Sequence, residues 1–542
     1  MTTPATRAHA ITRAEAYVDD GRFEGDLARR VAIRTESQKF PDKGALVECY
    51  RYLETEMTPA FAAMGFQSRM YDNPFEGQGP VLLAARIEDS KLPTVLGYGH
   101  GDVVFGMEER WTKGMGPWRT ARDGERLYGR GTADNKGQHT LNMAALRSVL
   151  EARGGRLGFN AKFMIEMSEE TGSKGLREIA ERYKSDFSAD VLIASDGQRV
   201  RRDRPTMALG CRGAVNFDLI VELREGGHHS GNWGGLIANP GVLLAHALAS
   251  IVGSQGELLV EELKAPPMSE AVRAAIADIE IDGGETGPKV DTWWGEPDLT
   301  PAARAYAANT FNILAFATGT PDRPVNAIPP KAVANCQLRF VAGTPVDAIV
   351  PALKQHLKAK GHMQVRVTSP AASNDGFFAA SRIEPDQPWA DLVARSLQRS
   401  SNGKPAIIPS LGGSFCNEVF TDTLGMPTIW IPHSCASCSQ HAPGEHILMP
   451  LSRSAIGLMA GLYWDIGEGK RPAVTGRGGV PTLGARSCQP SRNAVLIRDA
   501  IVDVWCGSKR RPVRTNDQAA RSAGRTAGFC DVLIARRAIM AT

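Results

Sequence analysis

Between residues 80 and 200 the chain alternates short apolar runs with helix-length amphipathic segments, and this alternation limits the possible folds more than any other feature. "PVLLAARI", "TVLGYG", "NAKFMIEM" and "DVLIAS" read as strands, while "NKGQHTLNMAALRSVLEARGG" and "GSKGLREIAERYK" read as helices. Near-continuous apolar strands need cover on both faces, and helices placed between them supply it, so the pattern predicts a layered α/β domain. Residues 24–66, with "GDLARRVAIRTES" and "ALVECYRYLETEMTPAFAAMGF", read as helices ahead of the first strand.

After Asp196 the pattern changes. "AVNFDLIVEL" and "NCQLRFVA" alternate with period two and flank the helix "PGVLLAHALASIVG"; "VDAIVPALKQHLKAKG" and "MQVRVTS" complete a small α+β set. The α/β pattern returns with "PWADLVARSLQRSSN", "TIWIP" and "SRSAIGLMAGLYWDIG". The expected organisation is an α/β domain in two parts, 1–208 and 380–470, with the small α+β domain at 209–379 inserted between them. Residues 471–542 form a tail expected to be poorly packed and dispensable.

The net charge of +4 hides an asymmetry. Residues 471–542 carry twelve Arg and one Lys against four Asp, a net +9, which leaves −5 on the first 470 residues. The body is therefore mildly acidic and shows no basic face for nucleic acid. No apolar run is long enough for a membrane span, and the N-terminus has no apolar signal core. Nine cysteines, an odd number in a long chain, fit reduced thiols, so a cytoplasmic protein is expected.

Ligands in open α/β sheets bind beyond the carboxyl ends of strands. There the sequence places His100 and Asp102 in "GHGD", Asp134 in "GRGTADNKG", Glu169 and Glu170 in "SEETGSKG", Asp196 in "SDG", and His441 and Glu445 in "QHAPGEH". Singly, each has a structural explanation as a cap, a turn or a solvated helix start. Together they match what two divalent cations require. Asp134, Glu170 and Asp196 supply three negative charges, a hydroxide between the metals a fourth, and His100 and His441 supply neutral imidazoles. This mixed N/O set suits zinc, with cobalt or manganese as alternatives. Neighbouring side chains in extended backbone point apart, so Glu170 would face a metal and Glu169 the water, free to move its proton. Asp102 would orient the His100 ring.

These motifs, in this order and spacing between about residues 20 and 470, resemble the M20 family of metallopeptidases, which includes aminoacylases, desuccinylases and carnosinase-like dipeptidases. The resemblance implies a zinc-peptidase catalytic domain, a mixed sheet flanked by helices, with an inserted ferredoxin-like lid through which the protein dimerises. It implies His100, Asp134 and Asp196 on one metal, and Asp134, Glu170 and His441 on the other. Asp102 and Glu169 would form the catalytic pair, and Asp134–Asn135 would be a cis peptide. "GGHHSGNWGG" resembles the lid motif whose histidine, here His229, stabilises the oxyanion, often across a dimer. "VNAIPPKAVANCQLRF" makes Asn326 and Arg339 candidates for the substrate carboxylate, and "SLGGSFCN" offers Gly412, Gly413 and Ser414 for close approach of backbone to substrate. Asp196, with "SDGQRVRRDRPTMALGCRGAVNFDLIV", places the chain towards the dipeptidase branch. The expected substrate is a small peptide, with an N-acyl amino acid, cleaved by a deacylase, as the alternative.

Two other readings compete. Cys435 and Cys438 form a CxxC near His441, but no second ligand pair stands close enough for a structural zinc, so they read as reduced thiols in a loop. A non-catalytic relative would have lost a ligand or Glu169, and all are present.

Overall fold

The computed structural model describes residues 6–469, apart from 41, 282–287, 369–376 and 402. The Arg-rich tail at 471–542 lies outside the described residues. Twelve strands matter for the site: β1 Gln67–Tyr71, β2 Val81–Arg86, β3 Thr94–His100, β4 Asn160–Glu166, β5 Val191–Ala194, β6 Thr206–Ala208, β7 Gly213–Glu222, β8 Thr310–Thr318, β9 Lys331–Phe340, β10 Val365–Thr368, β11 Ala406–Ile408 and β12 Thr428–Trp430. The long helices are α1 Arg7–Asp19, α2 Lys136–Ala152, α3 Pro240–Ile251, α4 Val346–Ala359, α5 Pro388–Ser400 and α6 Met449–Gly467.

Eight strands form one mixed sheet in the order β1-β2-β4-β3-β5-β12-β6-β11. Its centre, β4-β3-β5-β12, is parallel, and β1 and β2 are antiparallel additions at one edge. The alternation of apolar runs and helices therefore predicts the layered architecture correctly. One face carries α1, α2, α5 and α6 over Phe163, Ile165 and Ile193; the other carries Leu176, Ile179 and Phe187 over Leu96, Tyr98 and Leu192.

The smaller sheet, β8-β9-β7-β10 with the short Phe377–Phe378 strand, is antiparallel throughout. Helices α3 and α4 bury Leu244, Leu248, Ile349 and Leu353 against it. Residues 272–279 and 302–307, inside the segment expected as lid, behave differently. Val272 and Ile276, one helical turn apart, share an apolar cluster with Ala303, Ala406 and Ile408 of the large sheet's side.

The sequence reading does not contain α1, β1, β6, β8 or β11; the two three-residue strands β6 and β11 are too short to show a period. Helix α1 lies ahead of the helices read at 24–66; its Ala10, Ala14, Tyr17 and Val18 form a buried stripe against α6. Strand β1 carries a polar, edge-strand sequence with weak apolar alternation. Strand β8 is apolar on both faces, so its period gives no signal.

Candidate metal centre and active site

The three central parallel strands end at one place, and each delivers part of the site. β3 ends at His100, β4 leads through Ser168 into Glu169 and Glu170, and β5 leads to Asp196. Gly97, Gly99 and Gly101 let neighbours approach β3 closely: an added Cβ would fall 2.6 Å from Phe163 at position 97, 2.5 Å from His139 of α2 at position 99 and 2.5 Å from Tyr52 at position 101. Helix α2 therefore sits tightly on β3, and the turn before it brings Asp134 beside His100.

Asp134 lies at the centre. Its Oδ1 is 3.1 Å from His100 Nε2 and its Oδ2 is 3.1 Å from His441 Nε2. Glu170 Oε2 is also 3.1 Å from His441 Nε2, and Asp196 Oδ2 is 3.6 Å from His100 Nε2. Ligand atoms of His100, Asp134 and Glu170 all lie within 4.8 Å of one another. The Asp134–Asn135 peptide is cis.

Glu169 Oε2 stands 3.9 Å from His100 Nε2, beside this ring of side chains. The two glutamates diverge for a reason other than the one expected from extended backbone: they lie in a 3-10 turn, Glu169–Thr171. Asp102 organises that turn. Its carboxylate accepts from the main-chain N–H groups of Glu169 (3.2 Å) and Glu170 (3.1 Å). His100 Nδ1 meets the Asp102 carbonyl at 3.1 Å and its carboxylate at 3.5 Å, so Asp102 touches both the histidine and the glutamate pair.

The charge balance is uneven. Burial, followed by the Asp134 charge, pushes Glu170 up to about 7 and Asp196 up to about 6; burial also holds Glu169 well above the carboxylate range. Hydrogen bonds to Asp134 and Glu170 raise His441 to about 11. Burial would lower His100, but its bonds to Asp102 and Asp134 outweigh that and keep it well above the usual histidine value. The ring thus gathers more negative charge than neutral imidazoles can balance, which favours protons on its histidines and carboxyl groups alike. A donor set of two imidazoles and three carboxylates in this state fits divalent cations, which would replace those protons.

A cavity of about 590 Å³ opens from the ring, lined by Asp134, Glu169, Glu170, Asp196 and His441 and also by Gly412, Gly413 and Ser414. Arg339, which does not line the cavity, donates to Ser414 Oγ at 2.9 Å. His229 and Asn326 lie elsewhere. His229 pairs with Ala327 in a two-residue ladder, Asn326 O beside it accepts from Ser230 N, and His229 and Asn326 are both exposed outside the cavity. Cys435 and Cys438 are free thiols with sulfurs 3.4 Å apart. Glu445, noted in "HAPGEH" but given no role, is fully buried beneath Asp134; the buried Arg130 that pairs with it was missed. The acidic residue inside an otherwise loop-like motif was the available signal.

The profile of the peptidase family M20/M25/M40 matches residues 96–463, a span that contains the whole ring. The chain belongs to this peptidase family. Among its relatives, the Beta-Ala-His dipeptidase of Rattus norvegicus is 26% identical over 385 residues, covering 68% of this chain and 76% of that protein. The Cys-Gly metallodipeptidase of Saccharomyces cerevisiae is 26% identical over 372 residues, covering 65% of this chain and 76% of that one. The fold is that of the crystal structure of human carnosine dipeptidase 1, with a TM-score of 0.64 at 23% identity over 84% of this chain and 100% of the other.

Proposed function

We propose that this M20 peptidase is a dinuclear metal-dependent dipeptidase, most simply a zinc enzyme, in which His100, Asp134 and Asp196 hold one cation and Asp134, Glu170 and His441 the other. The observation that carries the reading is Asp134, whose two carboxylate oxygens each face a different histidine at 3.1 Å, the arrangement a bridging ligand needs. Bound cations would polarise the scissile carbonyl and acidify water. Glu169, beside the ring but outside it, accepts the proton of the attacking water and returns it to the leaving nitrogen. Asp102 holds His100 and the glutamate turn in register. Gly412, Gly413 and Ser414 flank the peptide, and Arg339 beside Ser414 supplies a cation for its carboxylate. Relatives named as dipeptidases support a dipeptide over an N-acyl amino acid. A panel of dipeptides, including β-Ala-His and Cys-Gly, assayed beside N-acetyl amino acids with metal content measured in parallel, tests this; turnover confined to the acyl substrates would refute it.

Zinc affinity should also depend on pH. The surrounding carboxylates favour the protonated form of both histidines and burial favours that of Glu170, so zinc binding should release protons from these ligands. Raising the pH removes competing protons, and affinity should rise about tenfold per pH unit for each proton released. Calorimetric zinc titrations of stripped protein in buffers of different ionisation enthalpy measure the number; a proton count of zero would contradict the assigned histidines.

The lid assignment, 209–379, and dimerisation through it belong to the same proposal. Strand β8 is the edge of the small sheet, and Ile313, Leu314 and Phe316 on it are 45%, 57% and 43% exposed. An edge with open backbone groups and apolar side chains on its surface invites pairing with a second copy. His229 and Asn326, exposed in one chain, are then available to a neighbouring site. Leu314→Arg with Phe316→Arg should convert a dimer to monomer in sedimentation, with activity falling alongside; an unchanged dimer would place the interface elsewhere. The described cysteines are free, which supports a reducing, cytoplasmic compartment, and no described helix is long and apolar enough to cross a membrane.

A further inference from the structure

The turn that carries Asp134, residues 129–134, is held by a side chain from the other end of the chain. Glu445 Oε1 accepts three main-chain N–H groups, from Gly131 at 3.0 Å, Ala133 at 3.0 Å and Asp134 at 3.1 Å. Its Oε2 accepts from Arg130 Nη1 at 2.6 Å, and its carbonyl accepts from Gly129 N at 3.0 Å. Arg130 in turn donates through Nη2 to the Phe105 carbonyl at 3.0 Å. Both partners of this ion pair are 1% exposed. A carboxylate among converging backbone N–H groups resembles the concave sites in which successive amides bind anions, except that the anion here belongs to the protein.

We propose that Glu445 is a positioning residue for the metal centre: it sets the orientation of the Asp134 carboxylate and ties the Asp134 turn to the segment that carries His441. The inference rests on the dinuclear reading above. Two facts make the orientation matter. Asp134 N–H is itself one of the three donors to Glu445, so the residue that must face two histidines is anchored at its own backbone. His441 and Glu445 are separated by only three residues, so one short segment supplies both a ligand on one side of Asp134 and the clamp beneath it. Only glycine fits the turn's tightest point: Gly131 has a φ of +86°, and a Cβ there would lie 3.0 Å from both Lys136 and Val103. Removing the clamp would leave three buried N–H groups without an acceptor, and the cheapest relief is rotation of those peptides, which swings Asp134 away from one histidine.

Glu445→Gln preserves shape and keeps one acceptor oxygen, but it turns an N–H₂ group either on Arg130 or on the three amides. Partners outside the ligand shell usually contribute about 10–100-fold to metal affinity, and that loss is expected here. The experiment is a zinc titration of stripped full-length wild type, E445Q and E445D, followed by kcat and KM at saturating zinc. The expected result is zinc Kd weakened about 10–100-fold in E445Q, with kcat largely recovered once zinc saturates and KM unchanged. E445D, which retains the charge one methylene short, should fall between. A residue serving only to stabilise the fold would lower the melting temperature without moving zinc Kd, and that result would overturn the proposal. If E445Q does not fold, E445D decides alone: unchanged zinc Kd refutes. Wild type that binds no zinc would instead fell the dinuclear reading, and this inference with it.

Discussion

Glu169→Gln should lower kcat by about 10²–10⁴-fold, towards the upper end, with metal content unchanged. The amide fills the same space but cannot take a proton, and one residue serves two transfers, from water and to the leaving nitrogen. Its position explains why the metals should stay: Glu169 Oε2 comes no nearer than 3.9 Å to His100, whereas Glu170 Oε2 is 3.1 Å from His441. Burial holds the Glu169 carboxyl well above its ordinary value in the metal-free ring, which marks it as a proton acceptor stronger than a surface glutamate. Glu170→Gln should behave differently, losing one cation and regaining part of its activity in excess zinc. Stopped assays with elemental analysis of the same samples separate the two. Equal metal loss in both variants would mean the glutamate roles are reversed, and near-normal turnover in Glu169→Gln would remove the hydrolytic mechanism as proposed.

Asp134→Asn should be more damaging, because it affects both cation positions together. Each carboxylate oxygen faces its own histidine at 3.1 Å, and an amide offers one neutral oxygen and a donor that repels a cation. Gel-filtered protein should carry almost no metal, activity should be at background, and excess zinc should not restore it. Stability should fall to that of chelator-treated wild type. At a free metal concentration a thousand times Kd, each lost site removes about 4 kcal/mol of folding stability by mass action. Melting curves of wild type with zinc, wild type with chelator, and Asp134→Asn with zinc test this directly. A variant that retained two metals would show that Asp134 does not bridge.

Much of the site was readable because its chemistry is local to short motifs at strand ends. His100, Asp134, Glu170, Asp196 and His441 were assembled from residue type and from the rule that ligands gather beyond carboxyl ends of strands, and in the structure these side chains meet. Two details were not readable. The divergence of Glu169 and Glu170 comes from a 3-10 turn capped by Asp102, which depends on hydrogen bonds across 67 and 68 residues of chain. Glu445 was visible as an acidic residue, but its partners lie more than 300 residues away.

What the sequence determined by itself is the layering and the inventory: apolar runs long enough only for strands, helices between them, and carboxylates and imidazoles placed where strands end. Those follow from hydrophobic period and residue chemistry, which act over a few residues. Tertiary structure alone decided which oxygen faces which histidine, which carboxylate stays outside the ring, and that residues 272–279 and 302–307 pack on the large sheet's side. It also decided that His229 and Asn326 lie exposed, away from the cavity of their own chain. These outcomes depend on distances between segments hundreds of residues apart, set by the packing of helices on the sheet, and no short window of sequence contains them.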